Sequence, residues 1–299
     1  MLIKNSHISV CICTYKRPKL LGPLLKKLEH QNTNGLFKYS IIVVDNDDNL
    51  SAKRTVTRIK KTSSITIDYY TEPDRNIACA RNKALQNAHG NFVAFIDDDE
   101  HPLDDWLYNL FKTCHHYKAD GVLGPVKPRY EKKPPQWIIR AKLFERPSHK
   151  TGLILHWNNT RTGNVLFKKN ILNENEDTFN PKFRHGEDKD FFRRMIQKGY
   201  IFVWCDEAPV FETQLPDRFK RTYFLRRALL RGSVSLRHLS FNPLFILKSM
   251  VAFQLYTLAL PCLFVIGHHI FMKYLIKDCD HIGRLMAACG LDVERYLLK

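Results

Sequence analysis

Four acidic residues in a row follow a wholly apolar stretch of the chain. The stretch is Phe92–Ile96, and the residues after it are Asp97, Asp98, Asp99 and Glu100. Carboxylates at such close spacing repel one another, and each resists leaving water. Mg²⁺ and Mn²⁺ prefer oxygen ligands and are usually held by one or two carboxylates together with substrate phosphates. We therefore expect this cluster to hold Mn²⁺ or Mg²⁺. The alternative is a solvated turn whose aspartates begin a helix.

A second acidic cluster lies in the second half of the chain, in the sequence Gly-Glu-Asp-Lys-Asp. Its acids are Glu187, Asp188 and Asp190. A carboxylate can act as a general base and take a proton from an attacking hydroxyl group. The alternative is electrostatic stabilisation of a helix N-terminus, where negative charge is favourable. By contrast, Asp104 and Asp105 fit the start of the next helix and no further role.

Strand-like and helix-like segments alternate along the first half of the chain. The predicted strands are 8–13, 39–45, 65–71 and 92–97, and the predicted helices are 18–28, 51–61, 76–90 and 103–117. Gly90 is predicted to cap the third of these helices. Such βαβα alternation is typical of the α/β class, with a mostly parallel sheet and right-handed crossovers.

The polar residues that follow these strands are predicted to converge. Parallel α/β sheets bind ligands at the carboxyl ends of their strands. Thr14 and Tyr15 follow the first strand, Asp45 ends the second, and the acidic cluster at residues 97–100 follows the fourth. These side chains should therefore lie along one edge of the sheet.

The rest of the sequence is less regular. Residues 127–150 are rich in proline and basic residues and are predicted to form a long loop that could close over a ligand. Beyond it, residues 162–170 and 200–212 each indicate a strand, and residues 186–199 indicate a helix.

Composition limits the class of protein. The chain has 299 residues, of which 44% are hydrophobic and 26% charged, with a formal net charge of +17. This excess of positive charge attracts phosphate-bearing partners, although a plain basic surface is the alternative. Nucleic acid is disfavoured as a partner because the acidic clusters lie where a backbone would bind and no recognition motif occurs.

The eight cysteines contain no Cys-x-x-Cys pair, which favours reduced thiols in a cytosolic chain without a signal peptide.

An uncharged run near the C-terminal end indicates contact with a membrane. It covers Ser249–Met272 and follows a basic segment, Arg218–Arg237. The run is long enough to cross a bilayer, and its basic flanks favour the cytoplasmic face of the inner membrane. Since both flanks are basic, a re-entrant or interfacial hairpin satisfies them better than a single span. The alternative is a buried helical hairpin that bends at Pro261.

Five segments in this order resemble the family 2 inverting glycosyltransferases of the GT-A fold. They are ISVCICTYKRP, IIVVDN, NIACARNKALQNAHGNFVAFIDDDE, TGNVLF and GEDKDFFRRM, within residues 6 to 235. The resemblance extends to the branch that makes bacterial exopolysaccharides of the succinoglycan type. It implies a Rossmann-like, mostly parallel sheet flanked by helices in residues 1–240. Residues 241–299 would then form a C-terminal helical membrane-associating segment.

The resemblance also implies roles for individual residues of the nucleotide site. Thr14 and Tyr15 would border the base and the ribose of the donor. Asp45 would accept a hydrogen bond from the uracil ring, and Arg81 would help to hold the nucleotide. Asp97 would lie near the ribose and the metal ion.

The remaining implied roles concern the metal ion and the chemistry. Asp98 would belong to the nucleotide site, and Asp99 would be the direct ligand of the metal ion, with Asp97 as the second. Asp188 would be the catalytic base, with Glu187 beside it in the motif.

The implied activity is transfer of a sugar from a UDP-sugar to an acceptor saccharide. The implied partners are a lipid-linked or oligosaccharide acceptor and the inner membrane surface. The Gln-x-x-Arg-Trp motif of processive synthases does not occur, which favours transfer of one sugar per encounter. A metal-dependent phosphohydrolase or nucleotidyltransferase is the alternative enzyme. A nucleotidyltransferase usually has a glycine-rich loop after its first strand, and the stretch CTYKRP has no glycine.

Overall fold

The computed structural model of the chain describes residues 6–172, 178–236, 243–291, 293 and 296. The chain divides into two compact units. The sheet unit contains Met1–Lys127 and Arg146–Thr213, and the helical unit contains Pro128–Glu145 and Gln214–Lys299. The division differs from the one expected at residue 240, because two earlier segments belong with the C-terminal helices.

Within these described residues, ten strands form two sheets. They are β1 (Ser6–Thr14), β2 (Phe37–Asp45), β3 (Ile67–Thr71), β4 (Phe92–Phe95), β5 (Glu100–Pro102), β6 (Gly121–Leu123), β7 (Val126–Tyr130), β8 (Val165–Lys168), β9 (Phe202–Trp204) and β10 (Val210–Gln214). The larger sheet has the order β3-β2-β1-β4-β8-β6-β9, and the smaller one has the order β5-β10-β7. In the larger sheet only β8 runs antiparallel to its neighbours, β4 and β6. The prediction of a mostly parallel α/β sheet is therefore confirmed.

Nine α-helices lie in the described part of the chain. They are α1 (Pro18–Leu28), α2 (Lys53–Lys60), α3 (Ile77–Gln86), α4 (Trp106–His116), α5 (Gln136–Arg140), α6 (Glu187–Gln197), α7 (Arg221–Ser235), α8 (Pro243–Ile266) and α9 (His268–Ala288). Helices α1 to α4 and strands β1 to β4 follow the predicted alternation.

The larger sheet is buried on both faces. Alternate residues of β1 belong to different hydrophobic clusters: Ile8, Val10 and Ile12 pack in one, and Cys11 packs in the other. The first cluster includes residues of α1, α2 and α4, whereas the second includes residues of α3 and α6. A strand covered on both faces has the continuous apolar sequence that characterises β1, β2 and β4.

Two details of the sheet unit differ from prediction. The cap of α3 is Asn87, so the assignment of Gly90 as a helix cap was wrong. Gly90 lies against β1 instead, where a Cβ atom would come within 2.4 Å of the His7 carbonyl oxygen. This close approach of two backbones is the reason for a glycine there. Residues 200–212 form two short strands, β9 and β10, in separate sheets rather than one strand.

Most of the segment predicted as a long loop, Pro128–Glu145, belongs to the helical unit. Residues 127–150 contain the end of β7 and the short helix α5. Ile138 and Phe144 are buried beside Phe224 and Ala228 of α7. The prediction of a loop without regular structure was wrong because a helix of five residues is too short to produce a periodic sequence pattern.

The C-terminal helices form a hairpin whose first helix is exposed. The break lies at Gly267, between α8 and α9, and Pro261 lies inside α8, so the predicted bend at Pro261 was wrong. By length and composition α8 could cross a membrane, and only 6% of its most apolar window is buried. The alternative of a buried hairpin therefore does not describe α8. The last residue of the predicted basic segment, Arg237, lies outside the described residues.

Candidate active site

The carboxyl ends of β1, β2 and β4 meet at one edge of the larger sheet, as predicted. Thr14 ends β1 and lies opposite Asp45, the last residue of β2, in the parallel register. The Thr14 hydroxyl donates a hydrogen bond to Oδ2 of Asp98, with 2.7 Å between the oxygens. Thr14 therefore connects the first strand to the acidic cluster that follows β4.

Arg17 offsets much of the charge in this cluster. Its Nη1 atom lies 3.2 Å from Oδ1 of Asp98 and 3.4 Å from Oδ2 of Asp99. Both aspartates are almost fully buried. Burial raises the pKa of Asp98 to about 6, while Arg17 and the Thr14 hydroxyl oppose that rise. The prediction from sequence gave Arg17 no role, although it lies between the first strand and Pro18, at the start of α1.

Asp97 has the most exposed side chain of the three aspartates. About half of it, 53%, is accessible, compared with 5% for Asp98 and for Asp99. Its Oδ1 atom lies 3.8 Å from Nη2 of Arg81. Desolvation and the charge of Asp99 raise the pKa of Asp97, and Arg81 opposes them. Asp97 is thus the carboxylate of this cluster that is open to a ligand.

Arg81 connects the two acidic clusters. The same guanidinium group that lies near Asp97 forms a buried ion pair with Glu187, the first residue of α6. Helix α3 holds Arg81 in place, and its side chain also lies 5.6 Å from the ring of Phe179. The structure therefore brings together residues that are 90 positions apart in the sequence.

Glu187 and Asp188 begin α6 but lie in different environments. Gly186, with a φ of 81°, precedes the helix in the left-handed conformation that favours glycine. Glu187 is buried, and burial raises its pKa to about 7 against the effect of Arg81. Asp188 is half-buried and accepts a hydrogen bond from the backbone N–H of Lys189. Asp190 forms an ion pair with Arg194 at 2.9 Å, one helical turn away.

Asp45 is fully buried and binds its own loop. Its Oδ2 atom accepts hydrogen bonds from the Ala52 N–H at 2.8 Å and the Tyr69 hydroxyl at 2.9 Å. Its Oδ1 atom accepts one from the N–H of Asp47 at 3.2 Å. These contacts hold the loop that follows β2, and the assignment of Asp45 to the uracil ring stays a prediction.

Tyr15 lies just beyond β1 and is half-buried. The Arg75 guanidinium lies 4.8 Å from the centre of its ring, and the Lys16 ammonium lies 5.2 Å from it. Both distances fall in the range of cation–π contacts. Tyr15 therefore has two neighbouring cations near the carboxyl end of β1.

Glu100 and Gly163 lie directly beside Asp97. Glu100 is buried, and its Oε2 atom accepts a hydrogen bond from the backbone N–H of Asp97 at 3.0 Å. A Cβ atom on Gly163 would come within 2.8 Å of Oε1 of Glu100 and 2.9 Å of Oδ2 of Asp97. The next residue, Asn164, has a φ of 67° and bonds Trp106 with its side-chain oxygen. This arrangement explains the Thr-Gly-Asn motif, which sequence reasoning assigned only to a strand.

Several cations lie beside the acids of the site. Arg146 forms an ion pair with Glu212, which pairs with Glu100 in the register of β5 and β10. Arg161 forms no ion pair among the described residues, and burial, together with Arg146, lowers its pKa to about 10. Asp188 and Glu100 act in the opposite direction on Arg161. Sequence reasoning missed these arginines because neither lies in a recognisable motif.

The donor set at this sheet edge fits a hard cation with few protein ligands. Among the described residues, no group of three or more His, Cys, Asp or Glu side chains is placed to hold a metal ion. Mg²⁺ characteristically takes one or two carboxylates and completes its shell with water and substrate phosphates. The absence of a Cβ atom at Gly163 also leaves space beside Asp97. The residues therefore suit a site that substrate phosphates complete.

Comparison with known proteins agrees with this geometry. Residues 9–195 match the family described as Glycosyl transferase family 2. The chain is 33% identical over 231 residues to the succinoglycan biosynthesis protein ExoM of Rhizobium meliloti, covering 76% of this chain and 73% of that protein. It is 25% identical to the chondroitin synthase of Pasteurella multocida, of which it spans 26%. A crystal structure of Staphylococcus aureus TarS 1-349 with UDP covers 95% of this chain, with 17% identity and a TM-score of 0.53.

The chain belongs to glycosyl transferase family 2 and is a glycosyltransferase. Its GT-A-like fold, expected from the sequence, is confirmed by the TarS structures.

Proposed function

We propose that this enzyme transfers a sugar from a UDP-sugar to a hydroxyl group of a saccharide acceptor, with inversion at the anomeric carbon. We further propose that the acceptor is lipid-linked and that the product is a bacterial surface polysaccharide. The similarity to ExoM, named for succinoglycan biosynthesis, supports the polysaccharide. The TarS structures solved with UDP and with UDP-GlcNAc support a UDP-sugar as the donor.

The contact of Arg81 with both acidic clusters carries this proposal. Transfer of a sugar needs a site for the diphosphate and a base for the acceptor within one cavity. The Arg81 guanidinium group contacts both Asp97, which follows β4, and Glu187, which precedes Asp188. Because Asp188 directly follows Glu187 in the chain, this contact supports a base on the same side of the site as the first cluster.

On the donor side, Thr14, Tyr15 and Asp45 remain the residues proposed to border the base and ribose. Thr14 and Asp45 also hold the sheet edge through their hydrogen bonds to Asp98 and to the loop after β2. Arg17 and Arg75 add positive charge at the same edge, where a diphosphate would need it. Arg81 is proposed to orient both acidic clusters as well as to hold the nucleotide.

The proposed ligands of a divalent cation, Mn²⁺ or Mg²⁺, are Asp99 and Asp97. Such a cation would neutralise charge on the diphosphate as UDP departs. Asp97 presents an accessible carboxylate. Asp99 would exchange its contact with Arg17 for one with the cation. Arg17 can turn away because almost half of its side chain, 45%, is exposed.

On the acceptor side, Asp188 is proposed to take the proton from the attacking hydroxyl group. Its backbone position at the start of α6 is fixed by Gly186, and Glu187 anchors the helix to Arg81. Attack from the face opposite to the leaving UDP inverts the anomeric centre, so an α-linked donor gives a β-linked product. Water must be excluded, because it would otherwise hydrolyse the donor.

Incubation with a panel of UDP-sugars tests the proposed activity. The full-length enzyme is mixed with each donor and Mn²⁺, with and without a membrane extract that supplies acceptor. We expect slow release of UDP from one donor alone and faster release when the extract is present. Hydrolysis of UDP itself, with no effect of the extract, would instead indicate a phosphohydrolase. An α-linked product from an α-linked donor, read by NMR, would contradict inversion.

Gly163→Ala is expected to weaken the proposed cation site. The added methyl group meets carboxylate oxygens of Asp97 and Glu100 at 2.9 and 2.8 Å, so one of them must move. Displacement of groups around a metal site typically costs about 10- to 100-fold in affinity or activity. The measurement is the Mn²⁺ concentration that gives half-maximal release of UDP.

Gly22→Ala is the matched control for this substitution. Gly22 lies inside α1, and its added methyl group would meet only Cγ2 of Thr55, at 3.4 Å. We expect this variant to keep the wild-type Mn²⁺ dependence. Equal Mn²⁺ dependence of the Gly163 variant and wild type would contradict a cation site beside Gly163.

We also propose that the enzyme works at the cytoplasmic face of the inner membrane, with α8 in contact with lipid. The outward side chains of α8 are apolar and exposed, including Leu255 at 62% and Leu258 at 77%. Two polar side chains of α8 bond to α9: Ser249 accepts a hydrogen bond from Arg284, and Thr257 donates one to Asp278. An apolar exposed face, with polar side chains bonded inside the protein, suits a helix that faces lipid rather than water.

Leu258→Glu is expected to release the enzyme from membranes. A carboxylate near the centre of a membrane helix costs about 3 kcal/mol, which corresponds to more than a hundredfold in partition. Leu258 has little contact within the protein, so the fold should be unaffected. Sedimentation with membranes, after washing in high salt, measures the bound fraction.

The matched control is Leu103→Glu, which places the same charge at an exposed leucine of the sheet unit. It should sediment with membranes as wild type does. A wild-type enzyme that stays in solution without detergent would refute the membrane contact of α8.

A further inference from the structure

The helical unit contains a cavity of about 280 Å³ between α7, α8 and α9. Its walls carry more positive than negative charge. The charged and polar residues that line it are Arg231, Ser235, Tyr256, Lys277, Asp280, His281 and Arg284. None of them belongs to the transferase site.

Asp280 is the one carboxylate among the described residues that line the cavity, and it is already paired. Asp280 accepts two hydrogen bonds from Arg231, one of them from Nε at 2.8 Å. The backbones of α7 and α9 touch here, since a Cβ atom on Gly232 would lie 2.0 Å from the Asp280 carbonyl oxygen. The Arg231–Asp280 pair is therefore fixed by the packing of the two helices, and the hydrogen bonds of Asp280 go to Arg231.

The two other cations have only neutral partners among the described residues. Arg284 donates to the hydroxyl groups of Ser235 at 3.0 Å and Ser249 at 2.8 Å, and it lies over the ring of Phe245. Lys277 is exposed, with its ammonium group 5.0 Å from the ring of Tyr274. Burial and the charge of Arg284 lower the pKa of His281, which disfavours a positive charge on this histidine. Two positive charges are thus left for a ligand.

The position of the cavity indicates what kind of anion it takes. Tyr256 lies in its wall, while Leu255 and Leu258 of the same helix point outward and are exposed. A ligand with an anionic head and an apolar tail could place the head against Lys277 and Arg284 and the tail along α8. Arginine and lysine with neighbouring hydroxyl groups are the usual partners of phosphate.

We propose that this cavity binds the phosphate group of a lipid. The site is separate from the transferase centre, and it rests on the proposed contact of α8 with lipid. Membrane phospholipids and polyprenyl diphosphates share this chemistry and are the two sources to be distinguished. Binding in the cavity would hold α8 and α9 at a fixed depth in the lipid.

Calorimetry on the full-length enzyme in neutral detergent tests the proposal. The probes are a short-chain phosphatidylglycerol, farnesyl diphosphate, a short-chain diacylglycerol without phosphate, and inorganic phosphate. We expect both phosphorylated lipids to bind and the diacylglycerol not to bind. The phosphorylated lipid that binds more tightly identifies the source of the phosphate group. Inorganic phosphate should bind more weakly, because it lacks the tail. Equal binding of the diacylglycerol and phosphatidylglycerol, or of inorganic phosphate and both lipids, would refute the proposal.

Lys277→Gln is the central variant, because Lys277 is exposed and its loss should leave the helices packed. Removal of a charged hydrogen-bond donor should weaken binding by about tenfold or more. Lys273→Gln, on the same helix but outside the cavity, removes the same charge and should bind as wild type does. Equal weakening by the two variants would indicate diffuse attraction and overturn the proposal.

Two further measurements, UDP release and binding to vesicles, distinguish failure of the cavity proposal from failure of the proposed activity or of the membrane contact of α8. Release of UDP from the donor without acceptor should be unchanged in the Lys277 variant, since the transferase centre is intact. If wild type binds the soluble lipids but not vesicles, the cavity is confirmed and the membrane contact of α8 fails. If wild type binds vesicles and neither soluble phosphorylated lipid, the cavity proposal fails alone.

Discussion

Asp99→Ala should lower the rate of sugar transfer by about a thousandfold or more, because a metal ligand contributes several kcal/mol to stabilising the transition state. The fold should survive the substitution. Arg17 keeps its contact with Asp98 at 3.2 Å, and Asp98 keeps the hydrogen bond from Thr14. Turnover is measured as UDP released per enzyme at saturating donor, and the fold by thermal unfolding.

The matched control is Asp104→Ala, which removes an exposed carboxylate five residues further along the chain. Its backbone carbonyl, which accepts a hydrogen bond from Asn32, is unchanged. We expect wild-type turnover from this variant. Full activity of Asp99→Ala, or full turnover of the wild type in excess EDTA, would show that catalysis needs no cation at Asp99.

Asp188→Asn should slow the chemical step by about a hundredfold or more while the donor still binds. The amide is almost the same size as the carboxylate, and its oxygen can still accept the hydrogen bond from the N–H of Lys189. What is lost is the ability to take a proton. Single-turnover kinetics give the chemical step, and calorimetry with the donor gives its affinity.

Two neighbouring substitutions show whether the effect is specific to Asp188. Glu187→Gln breaks a buried ion pair with Arg81, and loss of one partner from such a pair typically costs about 3–5 kcal/mol of stability. Asp190→Asn breaks a more exposed pair with Arg194, worth at most about 1 kcal/mol, and should keep full turnover. If Glu187→Gln folds normally and is inactive while Asp188→Asn is active, the base is Glu187.

The elements of the sheet unit could be predicted because their sequence signals are local. Leucines at helical spacing marked α1, and continuous β-branched residues marked β2. The convergence of Thr14 and the acidic cluster followed from one rule about parallel strands. Both lie where that rule placed them, and they are joined by a hydrogen bond.

What the sequence did not reveal depends on contacts between distant residues. Arg17 and Arg81 offset the acids of the site, yet each is one arginine among many in a basic chain. Helix α5 has only five residues, and its burial depends on α7, which follows some eighty residues later. The break in the C-terminal hairpin lies at Gly267 because a proline inside a long helix, such as Pro261, removes one hydrogen bond without ending the helix.

The order of strands in the larger sheet constrains how the nascent polypeptide can fold. Strand β8 lies between β4 and β6, although it follows both in the sequence. Until residues 165–168 leave the ribosome, β4 has no partner on one side, and its backbone groups there are available to other chains. Only after β8 has emerged can β6, and then β9, extend the sheet. Substitutions that weaken β8, such as Leu166→Ala at a fully buried position, should therefore increase aggregation during synthesis as well as destabilise the finished enzyme.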